Sequence, residues 1–327
     1  MTAINAKGKA PDLATTFDLD SLIEEVTNSL YAGHRFPKSV DQATGRFRPG
    51  SVGSPQDSSS EVKAQEKLSV VVRLEEDAWC VRSVSGAWRR IVMNLFGNAL
   101  KFTKAGFIEM TLSRSDIASD PKHVLVHLSV ADTGCGISPE FLENRIFTPF
   151  SQEDILSEGV GLGLSIVQQL VTSLGGYVEV KSEVGVGSQF DVFIPIQRPS
   201  ASPLPAVQVS EDKQPKKVSL VGFNPYDELK KGPAGMLTAE VKRKLALRRS
   251  LSSIILTQPE WMVSFADSLS NASGDIAIIE EDKLREIASN GPIRTEFGHI
   301  IILGEYGTPF DSDDIIKEAT VVHVTQP

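Results

Sequence analysis

Two cysteines, Cys80 and Cys135, stand 55 positions apart in a chain of 327 residues. They are too few and too far apart for a disulfide framework or a Cys-x-x-Cys metal site, and they fit a reducing, cytoplasmic compartment. No apolar leader opens the chain, because Met1–Thr16 lacks the hydrophobic run that a secretory signal needs. No long charge-free run has membrane character: the longest, Gly159–Val178, contains five glycines and two glutamines. Positive charge is in deficit, with 33 Lys+Arg against 42 Asp+Glu and a formal net charge of −9. That balance argues against a general nucleic-acid or membrane-surface role. No internal repeat is visible.

What is present is an ordinary globular composition, 41% hydrophobic and 23% charged, at a length that suggests two domains. Residues 1–16 read as a disordered N-terminus. Phe17–Tyr31 carries apolar residues at helical spacing, and 36–66 turns Ser-, Pro-, Gly- and Gln-rich, so it reads as a mobile insertion. Leu68–Leu74 and Trp79–Arg82 read as strands, Ala87–Phe102 as a helix, and Gly106–Ser113 and His123–Ala131 as neighbouring strands. A helix at Ile166–Leu174 and a hairpin of Tyr177–Lys181 with Ser188–Ile196 follow, so the first half is α+β. Residues 197–215 read as a linker. Beyond it, strands are expected at Lys217–Phe223, Ser252–Thr257, Asp275–Glu280, His299–Leu303 and Thr320–Thr325. Helices are expected at Ala234–Arg249, Glu260–Ser270, Glu281–Ser289 and Asp311–Ala319. That alternation predicts a doubly wound parallel sheet lacking its last helix.

The residues that bear chemistry lie between Asn94 and Ser188. Asn94 and Asn98 share one helix face, with Lys101 three residues on. An amide oxygen is a neutral ligand suited to Mg²⁺, and Lys101 could balance phosphate charge; two surface or capping asparagines would look the same. Asp132–Ile137 (DTGCGI) follows a strand. A carboxylate there can accept from an amino group such as that of adenine, and it is equally the first residue of a β-turn. Gly159-Val-Gly-Leu-Gly163 opens a helix whose N-terminal N–H groups suit an anion, although it is not a P-loop.

Taken in order, NLFGNALKFT (94–103), DTGCGI (132–137), IFTPFSQ (146–152), GVGLGLSIVQQLV (159–171) and GVGS (185–188) resemble the N, G1, F, G2 and G3 boxes of sensor histidine kinase catalytic domains. The resemblance spans 17–196 and implies the GHKL (Bergerat-type) α/β sandwich. It implies that Asn98, assisted by Asn94, holds Mg²⁺ of Mg-ATP, with Lys101 near the phosphates. Asp132 would bind the adenine amino group, with Gly134, Gly136 and Ile137 shaping the pocket. Phe147 and Phe150 would anchor a mobile lid running to Gly159. Gly159, Gly161, Leu162, Gly163 and Leu164 would face the phosphates, and Ser188 would support the pocket floor. ATPase relatives carry Glu where this chain has Asn94, and an amide cannot act as general base toward water. Slow hydrolysis is therefore expected, with the γ-phosphoryl passing to an imidazole.

None of the five histidines sits in the acceptor context H-E-[LIF]-R-[TN]-P that the family uses. The implied partners are therefore a histidine-containing dimerisation or phosphotransfer domain and a downstream receiver or phosphotransfer protein. His123 and His127, about 13 Å apart along a strand, read as ordinary strand histidines. Residues 216–327 resemble a truncated receiver domain of flavodoxin-like, doubly wound topology. Gly222, Phe223 and Asn224 stand where receivers carry acids, and Glu280 stands at the phosphoacceptor position. Gly304 or Glu305 replaces the hydroxyl, and Gln326-Pro327 replaces Lys-Pro. Aspartyl phosphorylation is not expected there. The arrangement resembles a hybrid histidine kinase of fungal type. The alternative is a non-catalytic, nucleotide-sensing scaffold module. Lys242–Lys244 with Arg248 and Arg249 reads as a basic patch or, more simply, as a solvated helix face.

Overall fold

Strict alternation of apolar residues builds a first sheet. β4 (Gly106–Asp116) buries Ile108, Met110 and Leu112, and β5 (His123–Asp132) buries Val124, Val126, Leu128 and Val130. Successive strand side chains point to opposite faces, so each set lines one core. β7 (Gly187–Gln197) adds Phe190, Val192, Ile194 and Ile196. With β2 (Leu68–Leu74) and β6 (Tyr177–Glu183) the order is β2-β4-β5-β7-β6. The structure is a computed structural model. It describes residues 14–43, 68–74, 79–153, 159–198, 215–224, 238–258, 260–289, 293–305, 316–317 and 319–326.

Every neighbouring pair in this sheet is antiparallel except β2 with β4. A parallel pair requires a crossover, and here it runs through β3 (Cys80–Ser83) and helix α2 (Ser85–Phe102). The helix that carries Asn94 and Asn98 is thus fixed by the connectivity of the sheet it covers. α2 packs with α1 (Leu19–Ala43) and α4 (Gly163–Ser173) around Trp88, Ile91, Leu95, Phe96, Val167 and Val171. β1 (Thr15–Asp18) pairs with β3. α3 (Pro139–Asn144) was not expected; Ser138 caps it, its hydroxyl accepting from the Phe141 N–H.

The second sheet is wholly parallel. β8 (Lys217–Val221), β9 (Met262–Ala266), β10 (Ile276–Glu280), β12 (His299–Glu305) and β14 (Thr320–Gln326) lie in the order β14-β12-β10-β8-β9. That is one of the two common doubly wound orders. Helices α5 (Ala239–Leu256) and α6 (Glu281–Ala288) accompany it, with a two-residue parallel pair, β11 (Ile293–Arg294) and β13 (Ile316–Lys317).

Several expectations are corrected. Ser252–Thr257 is not a strand but the end of α5, because Leu247, Leu251 and Ile255 continue one helical face into a packed cluster. Tertiary burial there outweighs the β-preference of Ile254 and Ile255. The second strand consequently falls at Met262–Ala266, where a helix was expected, and only a 3₁₀ turn, Leu269–Asn271, precedes β10. Within the helix expected at 311–319, Ile316 and Lys317 are strand, and 311–315 and 318 lie outside the described residues. α1 continues through Pro37 to Ala43, where the insertion was expected to have begun; Pro lacks the N–H that a helical pattern needs, which ended the sequence reading early. Thr15 and Thr16 belong to β1 rather than to a disordered end. Residues 1–13, 44–66 and 199–214, read as tail, insertion and linker, lie outside the described residues. Among the described residues no helix is long and apolar enough to cross a membrane.

The two sheets share a core. Val71 and Phe107 from the first join Ala246, Leu247 and Ile255 of α5 and Val218, Leu220, Phe223 and Ile278 of the second in one buried cluster. α5 is therefore covered on both sides. Truncating Phe107, which is only 4% exposed, to Ala should cost about 3–5 kcal/mol. Calorimetry should show one cooperative transition in the parent chain, shifted down in the variant with both halves melting together.

Candidate functional site

The conformational needs of one turn set the first wall of the site. β5 ends at Asp132, and the chain turns through Gly134 and Gly136 back toward the β6–β7 hairpin. Gly136 has φ +72°, and a Cβ there would lie 2.1 Å from the Glu183 carbonyl oxygen. No other residue type fits. The Gly185 N–H donates to the Cys135 carbonyl (2.8 Å), and the Ile137 N–H donates to the Ser182 hydroxyl (2.8 Å). Ser182 in turn bonds the Ser188 hydroxyl (2.9 Å). Ser188 is thus part of the wall's support, and Ser182 is a supporting residue that the sequence reading missed.

Asp132 sits inside this turn. Its Oδ1 accepts from the Gly134 N–H (2.8 Å) and the Ser188 N–H (3.3 Å). Burial pushes its pKa up, against the opposing pull of these two donors, of Lys242 and of Thr103. Thr103, at the C-cap of α2, is fully buried, and its hydroxyl is among the groups that favour the charged form of Asp132. Sequence reading missed Thr103 because nothing but its position after the helix marks it.

The second wall is α2. Its apolar side, Ile91, Val92, Leu95 and Phe96, is fully in the core, which turns Asn94 and Asn98 outward to half-buried positions. The Asn94 Nδ2 donates to the Arg90 carbonyl (2.7 Å), and its oxygen faces α4: a Cβ on Gly163 would lie 2.8 Å from it. A side chain at 163 would push the Asn94 head group aside. Lys101 Nζ lies 4.5 Å above the Phe102 ring and 3.7 Å from where a Gly159 Cβ would stand. The Gly159–Gly163 run therefore lies along the face shared by Asn94, Asn98 and Lys101. Leu162 precedes α4 without a side-chain cap, so the first N–H groups of that helix are open to an anion. Leu164 packs against the main core.

The segment before this run departs from expectation at one residue. Phe147 packs against the core, but the Phe150 ring is 71% exposed. Phe150 holds the segment through its backbone instead, its N–H donating to the Gly161 carbonyl (3.0 Å) at a φ of +62°. Gln152 adds a bond from Nε2 to the Gly159 carbonyl (2.8 Å). Residues 154–158, the middle of the expected lid, lie outside the described residues. Among the described residues no group of three or more His, Cys, Asp or Glu could hold a metal ion. Any cation at this site would rest on the neutral oxygens of Asn94 and Asn98 plus ligand oxygens, which suits Mg²⁺.

A second acid, Asp191, behaves oppositely. Burial alone would raise it, but His127, Gln189 and Ser129 hold it charged, with a pKa of about 2. The His127 Nε2–Asp191 Oδ1 distance is 2.9 Å.

The site resembles known proteins in sequence and fold. Residues 84–198 match the family described as "Histidine kinase-, DNA gyrase B-, and HSP90-like ATPase". The chain is 34% identical to the sensor histidine kinase AtsR of Burkholderia thailandensis over 42% of its own length and 23% of that protein. It is 30% identical to hybrid signal transduction histidine kinase B of Dictyostelium discoideum over 67% of its length and 12% of that protein. The chain thus spans less than a quarter of these relatives. Among solved structures, full-length ShkA in complex with AMPPNP matches 89% of this chain and 49% of that one, with a TM-score of 0.55 and 22% identity, which shows a common fold. Residues 84–198 thus match that ATPase family, and the curated relatives named above are sensor histidine kinases.

Two outcomes follow from the opposed carboxylates. Asp132 has a raised pKa when folded, so the ligand-free chain gains stability as pH falls through that value; at neutral pH its charge costs stability. Asp132→Asn keeps an oxygen for both N–H groups, so it should raise the melting temperature while weakening nucleotide binding. For Asp191 the sign is reversed: the stabilisation, about 2 kcal/mol, is complete above pH ~4 and fades toward pH 2. Asp191→Asn should lose it at pH 7 and converge with the parent in acid, as denaturant titrations at several pH values would show.

Proposed function

We propose that this chain is the ATP-binding catalytic part of a phosphorelay sensor histidine kinase, passing the γ-phosphoryl of Mg-ATP to a histidine outside the chain. The observation that carries the reading is the pairing of a turn-held Asp132 carboxylate with an uncapped, glycine-lined helix start facing Asn94. One end suits the adenine amino group, the other a polyphosphate. Gly134, Gly136 and Ile137 would shape the base pocket and Ser188 its floor. Phe147 and the backbone of Phe150 would hold the lid, with Gly159, Gly161, Leu162, Gly163 and Leu164 presenting N–H groups and packing to the phosphate side.

Asn98, with Asn94, would hold Mg²⁺, which neutralises phosphate charge when bound. Lys101 would add a further positive charge near Gly159. An acceptor imidazole nitrogen, entering in line, forms the P–N bond as the bond from phosphorus to the β-phosphate oxygen breaks and ADP leaves. Asn94 has no basic lone pair with which to take a proton from water, so transfer to the imidazole is favoured over hydrolysis. The acceptor is a histidine-containing dimerisation or phosphotransfer domain, and the phosphoryl then moves to a receiver or phosphotransfer protein.

Residues 216–327 are proposed as a receiver-like unit without phosphoryl chemistry. The parallel strand order supports this, as does the engagement of Glu280, at the acceptor position, with Arg243 Nη1 and Nη2. A carboxylate held in an ion pair is a poor nucleophile.

In calorimetry the chain should bind Mg-ATP, and Asp132→Asn and Asn98→Ala should each weaken binding roughly tenfold or more. Incubated with labelled ATP and an isolated acceptor helical hairpin, the chain should place label on histidine with little phosphate release. Binding that survives both substitutions would refute the site. Binding without transfer would leave a nucleotide-sensing module.

A further inference from the structure

Neighbouring side chains at a strand end point to opposite faces of the sheet. At the end of β5 two such neighbours serve different parts of the molecule. Asp132 stands opposite Ile108 in the β4–β5 register, and Ile108 is fully buried in the main core. Asp132 therefore lies on the face that the helices of the first unit cover. Thr133, one residue on, turns to the other face, where α5 begins. There a Cβ on Gly106 would lie 2.3 Å from Thr133 Oγ1 and 3.7 Å from the Ala239 Cβ. The Thr133 hydroxyl, the start of β4 and the first residue of α5 thus meet at one corner.

Hydrogen bonds tie Thr133 to a single residue of β4. Its N–H donates to the Phe107 carbonyl (3.0 Å), and its hydroxyl accepts from the Phe107 N–H (2.8 Å). The same hydroxyl donates to that carbonyl at 3.3 Å. It fits there because residue 106 has no side chain to occupy its place. The next part of the turn is held through backbone, the Cys135 N–H donating to the Phe102 carbonyl (3.3 Å). Phe107 is fixed in turn by its ring, which lies in the cluster shared with Leu247 and Ile255 of α5 and Leu220 and Ile278 of the second sheet. A line of packed and hydrogen-bonded groups therefore runs from the second sheet through Phe107 to Thr133. One peptide later it reaches the carboxylate that the Gly134 and Ser188 N–H groups hold.

We propose that Thr133 is a positioning residue of the nucleotide site: by binding the Phe107 backbone, it holds the Asp132 carboxylate at a place set by the packing of the second unit on Phe107. The inference rests on the nucleotide-binding reading, and it names the side chain that refers the adenine end of that site to the second sheet. Thr133 faces away from Asp132 and acts through the peptide between them. Its hydroxyl therefore matters for ligands that use the carboxylate. ATP presents an amino group to it, whereas purine riboside triphosphate, with a hydrogen in place of that group, gains nothing from it.

The test is calorimetric titration of the full chain with the Mg²⁺ complexes of ATP and of purine riboside triphosphate. Thr133→Val keeps the shape and removes the hydroxyl. It should weaken ATP roughly threefold to tenfold, the range of one lost hydrogen bond, and leave the analogue within error. Thr133→Ser keeps the hydroxyl and should bind ATP as the parent does. Phe107→Leu repacks the shared cluster and should lower the preference for ATP in the same direction. Joined to Thr133→Val, it should cost less than the two losses added, the signature of coupling in a double-mutant cycle. Should Thr133→Val not stay folded, Phe107→Leu alone decides, since an unchanged preference for ATP would overturn the proposal. Equal losses for the two nucleotides in Thr133→Val would mark a general structural role and overturn it, as would unchanged ATP affinity. Additive losses would overturn the link to the second unit. A parent chain that binds neither nucleotide, or both equally, would instead remove the reading on which the proposal rests.

Discussion

Helix α5 is buried on two sides, and most of the architecture answers to that. Its Ala246, Leu247 and Ile255 fill the space between Val71 and Phe107 of one sheet and Leu220 and Ile278 of the other. Apolar area hidden from water by both neighbours at once is lost if either withdraws, so the two halves stabilise one another through a common helix. Relative motion between the sheets is correspondingly expensive. The polar residues of α5 must then find partners in the little space left, which is why Arg243 is enclosed by two carboxylates instead of facing solvent. A buried cation without them would destabilise the helix it belongs to.

The first half is organised around a different constraint. Its sheet is antiparallel but for one edge, and the exception places α2 across the face where the Gly159–Gly163 run ends. Glycines are concentrated where backbone meets backbone: at Gly136 against Glu183, and at Gly163 against the Asn94 side chain. The Asp132 carboxylate is held by two N–H groups yet remains partly desolvated.

Much of this was legible in the sequence, and the limits have physical causes. Asn94, Asn98, Asp132 and the glycines of 159–163 were singled out through the ordered set of motifs that resembles the sensor histidine kinase boxes, since each alone also reads as a surface asparagine or a turn. Strands 106–116 and 123–132 were readable because one face is fully buried and the alternation is clean. Thr103 and Ser182 were not, since a hydroxyl gives no sign of whether its oxygen meets solvent or a turn. Phe150 misled because an aromatic in a motif is assumed to pack, whereas here its backbone makes the contact. The second half was shifted by one element because Ile254 and Ile255 look like strand until the other sheet is there to bury one side of their helix. Only a contact between distant parts of the chain decides that question, and no local pattern contains it.

Asn94 bears one more consequence. Its amide hydrogens point back at the Arg90 carbonyl of its own helix, one turn earlier. An aspartate in the same rotamer would set a negative oxygen against that carbonyl, acceptor facing acceptor. The isosteric acid is therefore disfavoured in that rotamer by backbone electrostatics, independently of any chemistry at the site. A longer acid could swing its head group away from Arg90 and escape the clash. The helix thus bears on what can stand here: the isosteric exchange of amide for carboxylate meets a local electrostatic penalty that an acid longer by one methylene avoids.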